Sequence, residues 1–153
     1  MGTLTTLIEG KLVAFDSAPL IYYLEKHPRY LHLSRELFGA IQRQAAIGLT
    51  SILTLLEVLV VPLRAGRESV ANDYRRVLIH TKGLTLYPVD HAIGERAAKI
   101  RADNAWLRTP DALQIATAVE HGAQVIVTND NRWKRLREIP VVVFDDYLRV
   151  TAE

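Results

Sequence analysis

Short, continuously apolar runs alternate with longer segments whose apolar positions recur at helical spacing. The stretch KLVAFD (Lys11 to Asp16) reads as a buried strand, and SAPLIYYLEKH (Ser17 to His27) follows as a helix with Pro19 in its first turn. Ser34 to Gly48 reads as a second helix, with a serine N-cap and a terminal glycine. Leu49 to Ile52 is a second strand, followed by a helix over TLLEVLVVPL and another over Ser69 to His80. Leu84 to Val89 is a third strand. Helices over His91 to Asn104 and Thr109 to Gly122 precede two further strands, Gln124 to Thr128 and Val141 to Phe144. A short helix is expected over Asn131 to Leu136. Uninterrupted apolar strands separated by helices predict a mainly parallel sheet covered on both faces, an α/β fold.

In such sheets ligands bind beyond the carboxyl ends of the strands. Asp16 ends the first strand, Asp130 follows the fourth, Asp111 opens the helix before it, and Glu57 comes soon after the second strand. Each has a purely structural alternative. Asp16 suits the N-cap of the next helix. Asp111 suits position N2 behind a Thr109 cap and Pro110, where it complements the helix dipole. Asp130 suits an Asx-turn or a cap. Glu57 is the only charge between Arg43 and Arg64, within a leucine- and valine-rich helix, and could face solvent there. Four carboxylates at one edge would repel one another and raise their pKa values. A divalent cation with oxygen ligands, Mg²⁺ or Mn²⁺, relieves that cost, and such ions serve phosphodiester hydrolysis.

Composition narrows the field. At 153 residues and 49% hydrophobic, the chain supports one domain with a substantial core. With no cysteine, it has no disulfides, thiolate metal sites or cysteine nucleophile. The five histidines lack zinc-enzyme spacing, and no GxSxG, P-loop or GxGxxG motif occurs. Asp16 is not followed two residues later by a second Asp, as a phosphoaspartate phosphatase would need. The longest apolar run, Leu49 to Leu63, is interrupted by Glu57 and too short for a bilayer span. The N-terminus has no signal-peptide pattern, so a cytoplasmic location with no membrane association is expected. The net charge is +2, and without the four candidate site carboxylates the balance is more basic. Arg132, Lys134, Arg135 and Arg137, with Trp133 among them, follow Asp130, either as a solvated helix face or as phosphate contacts with Trp133 for base stacking on RNA. A second basic group, Arg64, Arg67, Arg75 and Arg76, is too diffuse to assign.

From about Leu12 to Leu148 the chain resembles the PIN-domain ribonucleases. In size it is similar to the toxins of VapBC toxin–antitoxin pairs. The resemblance is carried by VAFDSAPLIYYLE, by SILTLLE from Ser51 to Glu57, by DALQIATAVEHGAQVIVTND, and by VVVF with DDYL at the end. The third block is the most specific. The resemblance implies a three-layer α/β/α sandwich, with the family's acidic quartet at Asp16, Glu57, Asp111 and Asp130, all catalytic and metal-ligating. It implies a supporting role for Thr128. It also implies a Mg²⁺ or Mn²⁺ cofactor, endonucleolytic cleavage of RNA, a homodimer and inhibition by a VapB-type antitoxin. Two other outcomes stay open: an RNA-processing PIN nuclease without an antitoxin, and a catalytically idle PIN-like module that binds RNA or protein. Residues 1–10 would be an N-terminal extension, native or added, to a single domain over 11–153. Ala18 and Pro19 stand where relatives often carry a bulkier or asparagine-containing turn.

Overall fold

Five short strands, β1 (Leu12–Phe15), β2 (Ile47–Ser51), β3 (Leu84–Tyr87), β4 (Val125–Thr128) and β5 (Val141–Val143), lie side by side in the order β3-β2-β1-β4-β5. All four pairings are parallel. The computed structural model describes residues 3–148; the last five residues of the expected domain, 149–153, lie outside the described residues. Strand order grows outward from β1 in two directions, which makes the gap between the carboxyl ends of β1 and β4 a topological switch point, the place where open parallel sheets bind ligands.

The centre of the sheet, β1 and β4, is buried on both faces. Along β1, Val13 and Phe15 face one apolar layer and Ala14 the other, as the two-residue period of a strand requires. The first layer is covered by α1 (Leu4–Ile8), α2 (Ser17–Leu24), α3 (Leu31–Gln42), α4 (Ile52–Arg64) and α5 (Glu68–His80), which contribute Leu20, Phe38, Ile41, Val58 and Tyr74. The second is covered by α6 (His91–Asp103) and α7 (Thr109–Glu120), through Ile93, Ile100, Ile115 and Ala116. The result is the expected three-layer α/β/α sandwich, with a sheet that is wholly parallel. No helix among the described residues is long and apolar enough to cross a membrane.

Several boundaries differ from the sequence reading, each for a tertiary reason. Helix α3 begins at Leu31, so Ser34 is an interior residue. It is fully buried, and its hydroxyl donates to the Pro19 carbonyl at 2.7 Å. The helix ends at Gln42, and Gly48 belongs to β2. There the Ile41 and Leu84 side chains pass within 2.7 and 3.1 Å of where a Cβ would stand, so Gly48 makes room for helix–sheet packing. Residue 108, not Thr109, is the N-cap of α7, which puts Asp111 at the third helical position. The segment after Asp130 is a five-residue 3-10 helix, Asn131–Arg135, and β5 gives way at Phe144 to a second 3-10 turn, Phe144–Tyr147. The segment expected as an extension forms α1. Thr3 caps it, Leu4 and Ile8 are buried in the first layer, and the Gly10 N–H donates to the Ala45 carbonyl at 2.7 Å.

Candidate active site

The β1–β4 register pairs Phe15 with Val127, so the next residues on each strand, Asp16 and Thr128, meet at the switch point. Thr128 Oγ1 donates to Asp16 Oδ2 at 2.7 Å and accepts the Asp130 N–H at 3.1 Å. Asp16 occupies the N-cap position of α2, yet its side chain makes no capping bond there. Its second oxygen, Oδ1, is buried and has no hydrogen-bond partner among the described residues. The buried hydroxyl of Ser17 stands next in the chain and favours the charged form of Glu57. The Ala18 backbone N–H favours the charged form of Asp16, but no capping bond of full hydrogen-bond geometry closes there. Burial pushes its pKa up to about 7; the Thr128 hydroxyl pulls against that, and the charges of Glu57 and Asp111 add to it.

Glu57 reaches the same edge from α4. The helix begins at Ser51, whose hydroxyl accepts the Leu53 N–H at 3.1 Å. Glu57 is exposed, so its apolar neighbours in sequence do not enclose it. Its Oε1 accepts from Gln114 Nε2 on α7 at 2.7 Å. Partial desolvation holds its pKa above the usual carboxylate value; the Asp111 charge reinforces this and the Gln114 bond opposes it. Asp111, in the first turn of α7, is approached by Arg108 Nε at 3.4 Å. Asp16, Glu57 and Asp111 are thus electrostatic neighbours.

Asp130 is placed differently. Its Oδ1 accepts the backbone N–H and Nε of Arg132, each at 3.0 Å, and its Oδ2 accepts Arg132 Nη2 at 2.6 Å. The guanidinium hydrogen bond lowers its pKa. The structural role open to Asp130, a cap on the following 3-10 helix, is realised. Among the described residues no three Asp, Glu or His side chains converge closely enough to enclose an ion as they stand. The chemistry of the donors still fits a hard divalent cation: all are oxygens, and a buried, unpartnered carboxylate oxygen stands beside two further carboxylates.

The sequence matches the PIN domain family over residues 13–139. This chain belongs to the PIN-domain family. No curated protein matches it. Among solved structures, the PIN domain here is similar to VapBC2 of Rickettsia felis bound to a promoter DNA fragment, at 15% identity and TM-score 0.68, over 86% of this chain and 98% of that one. It is also similar to DNA-bound VapBC of Salmonella typhimurium, at 19% identity and TM-score 0.64, over 88% and 98% of the two chains. A toxin–antitoxin complex of Klebsiella pneumoniae matches at 20% identity and TM-score 0.64, over 86% and 97%. At these identities the likeness is one of fold.

The basic segment of this PIN domain needs correction. Trp133, expected as a stacking surface, is 1% exposed and packs into the second apolar layer. The 3-10 helix turns its indole inward, while Arg132, Lys134 and Arg135 stay at the surface. Arg132 is engaged by Asp130, and Lys134 pairs with Asp146 at 2.6 Å. The guanidinium of Arg135 lies 5.6 Å from the ring centre of Trp106, and that of Arg132 lies 6.0 Å from it. Gln114, Arg108 and Trp106 escaped the sequence reading. Gln114 had a signal: an amide three residues after Asp111, and so on the same helix face, within an otherwise apolar run.

Proposed function

We propose that this PIN domain is a metal-dependent endoribonuclease and the toxin of a type II toxin–antitoxin pair. The observation that carries the reading is the buried, unpartnered Asp16 oxygen, held beside Glu57 and Asp111 at the switch point of the sheet. A folded chain bears that electrostatic cost when a ligand offsets it. Asp16, Asp111 and Asp130 are the residues that would hold Mg²⁺ or Mn²⁺, with Glu57 as a further ligand or as the group that orients the attacking water. Bound there, a divalent ion would offset the clustered negative charge and stabilise charge developing on the phosphate oxygens.

The chain's own groups have distinct parts. Thr128 fixes one oxygen of Asp16 and leaves the other without a side-chain partner. Gln114 anchors one oxygen of Glu57 and leaves the second for water. The raised pKa of Glu57 makes it a better proton acceptor than an ordinary carboxylate. Arg108 and Arg132, exposed beside Asp111 and Asp130, would meet RNA phosphates. The protein partners are a VapB-type antitoxin and a second copy of this chain. Ile52, Leu56, Val60 and Leu63 form an exposed apolar stripe on α4, the helix that carries Glu57, and the structures matched above are toxin–antitoxin complexes. A partner on that stripe would lie beside the acidic site. Such a toxin would act on RNA in the cytoplasm.

Cleavage of a defined single-stranded RNA should require Mg²⁺ or Mn²⁺, stop in EDTA, and be lost in both Asp16→Asn and Glu57→Gln. With contaminating nuclease excluded, cleavage by either variant at the wild-type rate would overturn the site assignment. Wild-type protein that binds RNA without metal-dependent cleavage would instead indicate an idle binding module.

A further inference from the structure

We propose that Trp106 is the base-stacking residue of the RNA surface, with Arg135 and Arg132 supplying phosphate contacts at its edge. This rests on the reading of RNA as substrate and names the residue that would hold a nucleobase. Trp106 lies in the loop between α6 and α7, two residues before Arg108, whose guanidinium approaches the site carboxylate Asp111. It is half-buried: its indole packs against the second apolar layer and keeps part of its surface open. Arg132 links it to the acidic site. One end of that contact is the Trp106 ring at 6.0 Å and the other is Asp130 Oδ2 at 2.6 Å. A base on Trp106 would therefore sit one guanidinium away from the acidic edge.

The surroundings favour nucleic acid over an apolar ligand. Arg132 and Arg135 flank the ring and Arg108 follows in the chain. Arg135 and Arg137 also line an open cavity of about 540 Å³ with Asp103, Asn104 and Glu138. Both carboxylates of that cavity are engaged, Asp103 by Lys99 and Glu138 by Asn104 and the Arg137 N–H. Exposed cation–π contacts are weak. A nucleobase can therefore take a guanidinium's place on the indole while the guanidinium turns to the adjoining phosphate. Single-stranded RNA is held in this way, by aromatic platforms bordered with positive charge.

The chain has two tryptophans, and Trp133 is buried, so an RNA-dependent change in tryptophan emission that Trp106→Phe removes reports Trp106. A short oligouridylate is titrated into wild-type protein in EDTA and into Asp16→Asn in Mg²⁺. Emission should be quenched and Trp106 protected from acrylamide. Trp106→Phe should lose the RNA-dependent signal while keeping its packing. Trp106→Ala should weaken binding by about 5- to 150-fold, the range for one stacked base. Arg135→Ala should lower the slope of log affinity against log salt by about 0.7, one single-strand phosphate contact. RNA binding with unchanged emission and unchanged Trp106→Ala affinity would overturn the proposal, as would no binding under either condition. Metal-dependent cleavage of RNA alongside that result would leave the nuclease reading standing. Quenched emission together with no cleavage by the wild-type protein in Mg²⁺ or Mn²⁺ would support the platform and overturn the nuclease.

Discussion

Replacing Asp16 with asparagine should stabilise the metal-free protein while removing its activity. The carboxylate is buried, and one oxygen has no partner. Its pKa is pushed from an ordinary 3.8 to about 7. The unfolded chain therefore releases this proton at lower pH than the folded chain does. As pH rises from about 4 to about 7, ionisation favours the unfolded state, and folding stability falls. At about 1.4 kcal/mol for each tenfold change in proton affinity, the full cost above pH 7 is about 4 kcal/mol. Near pH 5 only about 2 kcal/mol of it has developed.

Asparagine keeps the shape and a carbonyl for the Thr128 hydroxyl but carries no charge. In EDTA at about pH 8, Asp16→Asn should melt roughly 8–16 °C above wild type, at about 2–4 °C per kcal/mol for a chain of this size. The gap should narrow by more than half at about pH 5. Melting curves followed by circular dichroism across this pH range measure it. Saturating Mg²⁺ should raise the wild-type melting temperature and close the gap from the other side, because ligand binding to the native state stabilises it. A variant no more stable than wild type at the higher pH, or an advantage independent of pH, would show that Asp16 is not an uncompensated buried charge. The argument for a cation at this position would then fall.

Arg132→Ala should free Asp130, lower the Mg²⁺ concentration needed for half-maximal cleavage and raise the KM for RNA; an unchanged metal dependence would mean that Asp130 takes no part in holding the ion. Ile8→Ala should cost about 2–5 kcal/mol in urea unfolding, because Ile8 is fully buried in the first layer; a change within about 0.5 kcal/mol, the usual range for surface sites, would mean that α1 is dispensable. Trp133→Ala should cost about 3–5 kcal/mol of stability, and Trp133→Phe should fold and bind RNA with wild-type affinity, whereas weakened RNA binding by a stably folded Trp133→Phe would restore Trp133 to the RNA surface.

Much of the framework could be read along the chain because the central strands, β1 and β4, are buried and leave short, almost wholly apolar runs. The carboxylates at strand ends then followed from the chain direction of a parallel sheet. What escaped depends on partners far away in sequence. LTTLI, from Leu4 to Ile8, is too short to hold as an isolated helix, and α1 exists through the burial of Leu4 and Ile8. Ser34 has the features of a cap, but the Pro19 carbonyl satisfies it inside a helix. Trp133 stands amid exposed charges yet turns inward, because a 3-10 helix advances three residues per turn and the apolar layer takes its indole. Trp106 carries no local signal at all; it becomes legible only when folding brings Arg132 and Arg135 over its ring.

The four acidic positions do not form an equivalent set, and the difference bears on how an ion would enter. The charges of Glu57 and Asp111 add to the cost of ionising Asp16, and that of Asp111 to the cost of ionising Glu57, with one amide and one hydroxyl in partial compensation. Asp130 is already matched by Arg132. Asp16, Glu57 and Asp111 would therefore be the first residues to hold a cation, because burial of Asp16 and the neighbouring charges leave its ionisation the least relieved. Asp130 would join by exchanging its arginine. A solvent-exposed ion pair contributes little to stability, so the larger relief decides the direction of that exchange. The released guanidinium would remain within reach of the Trp106 ring and of any phosphate lying across it. Metal loading and RNA binding would then be coupled through one side chain, Arg132, and the coupling would be positive: each event removes the other's competitor.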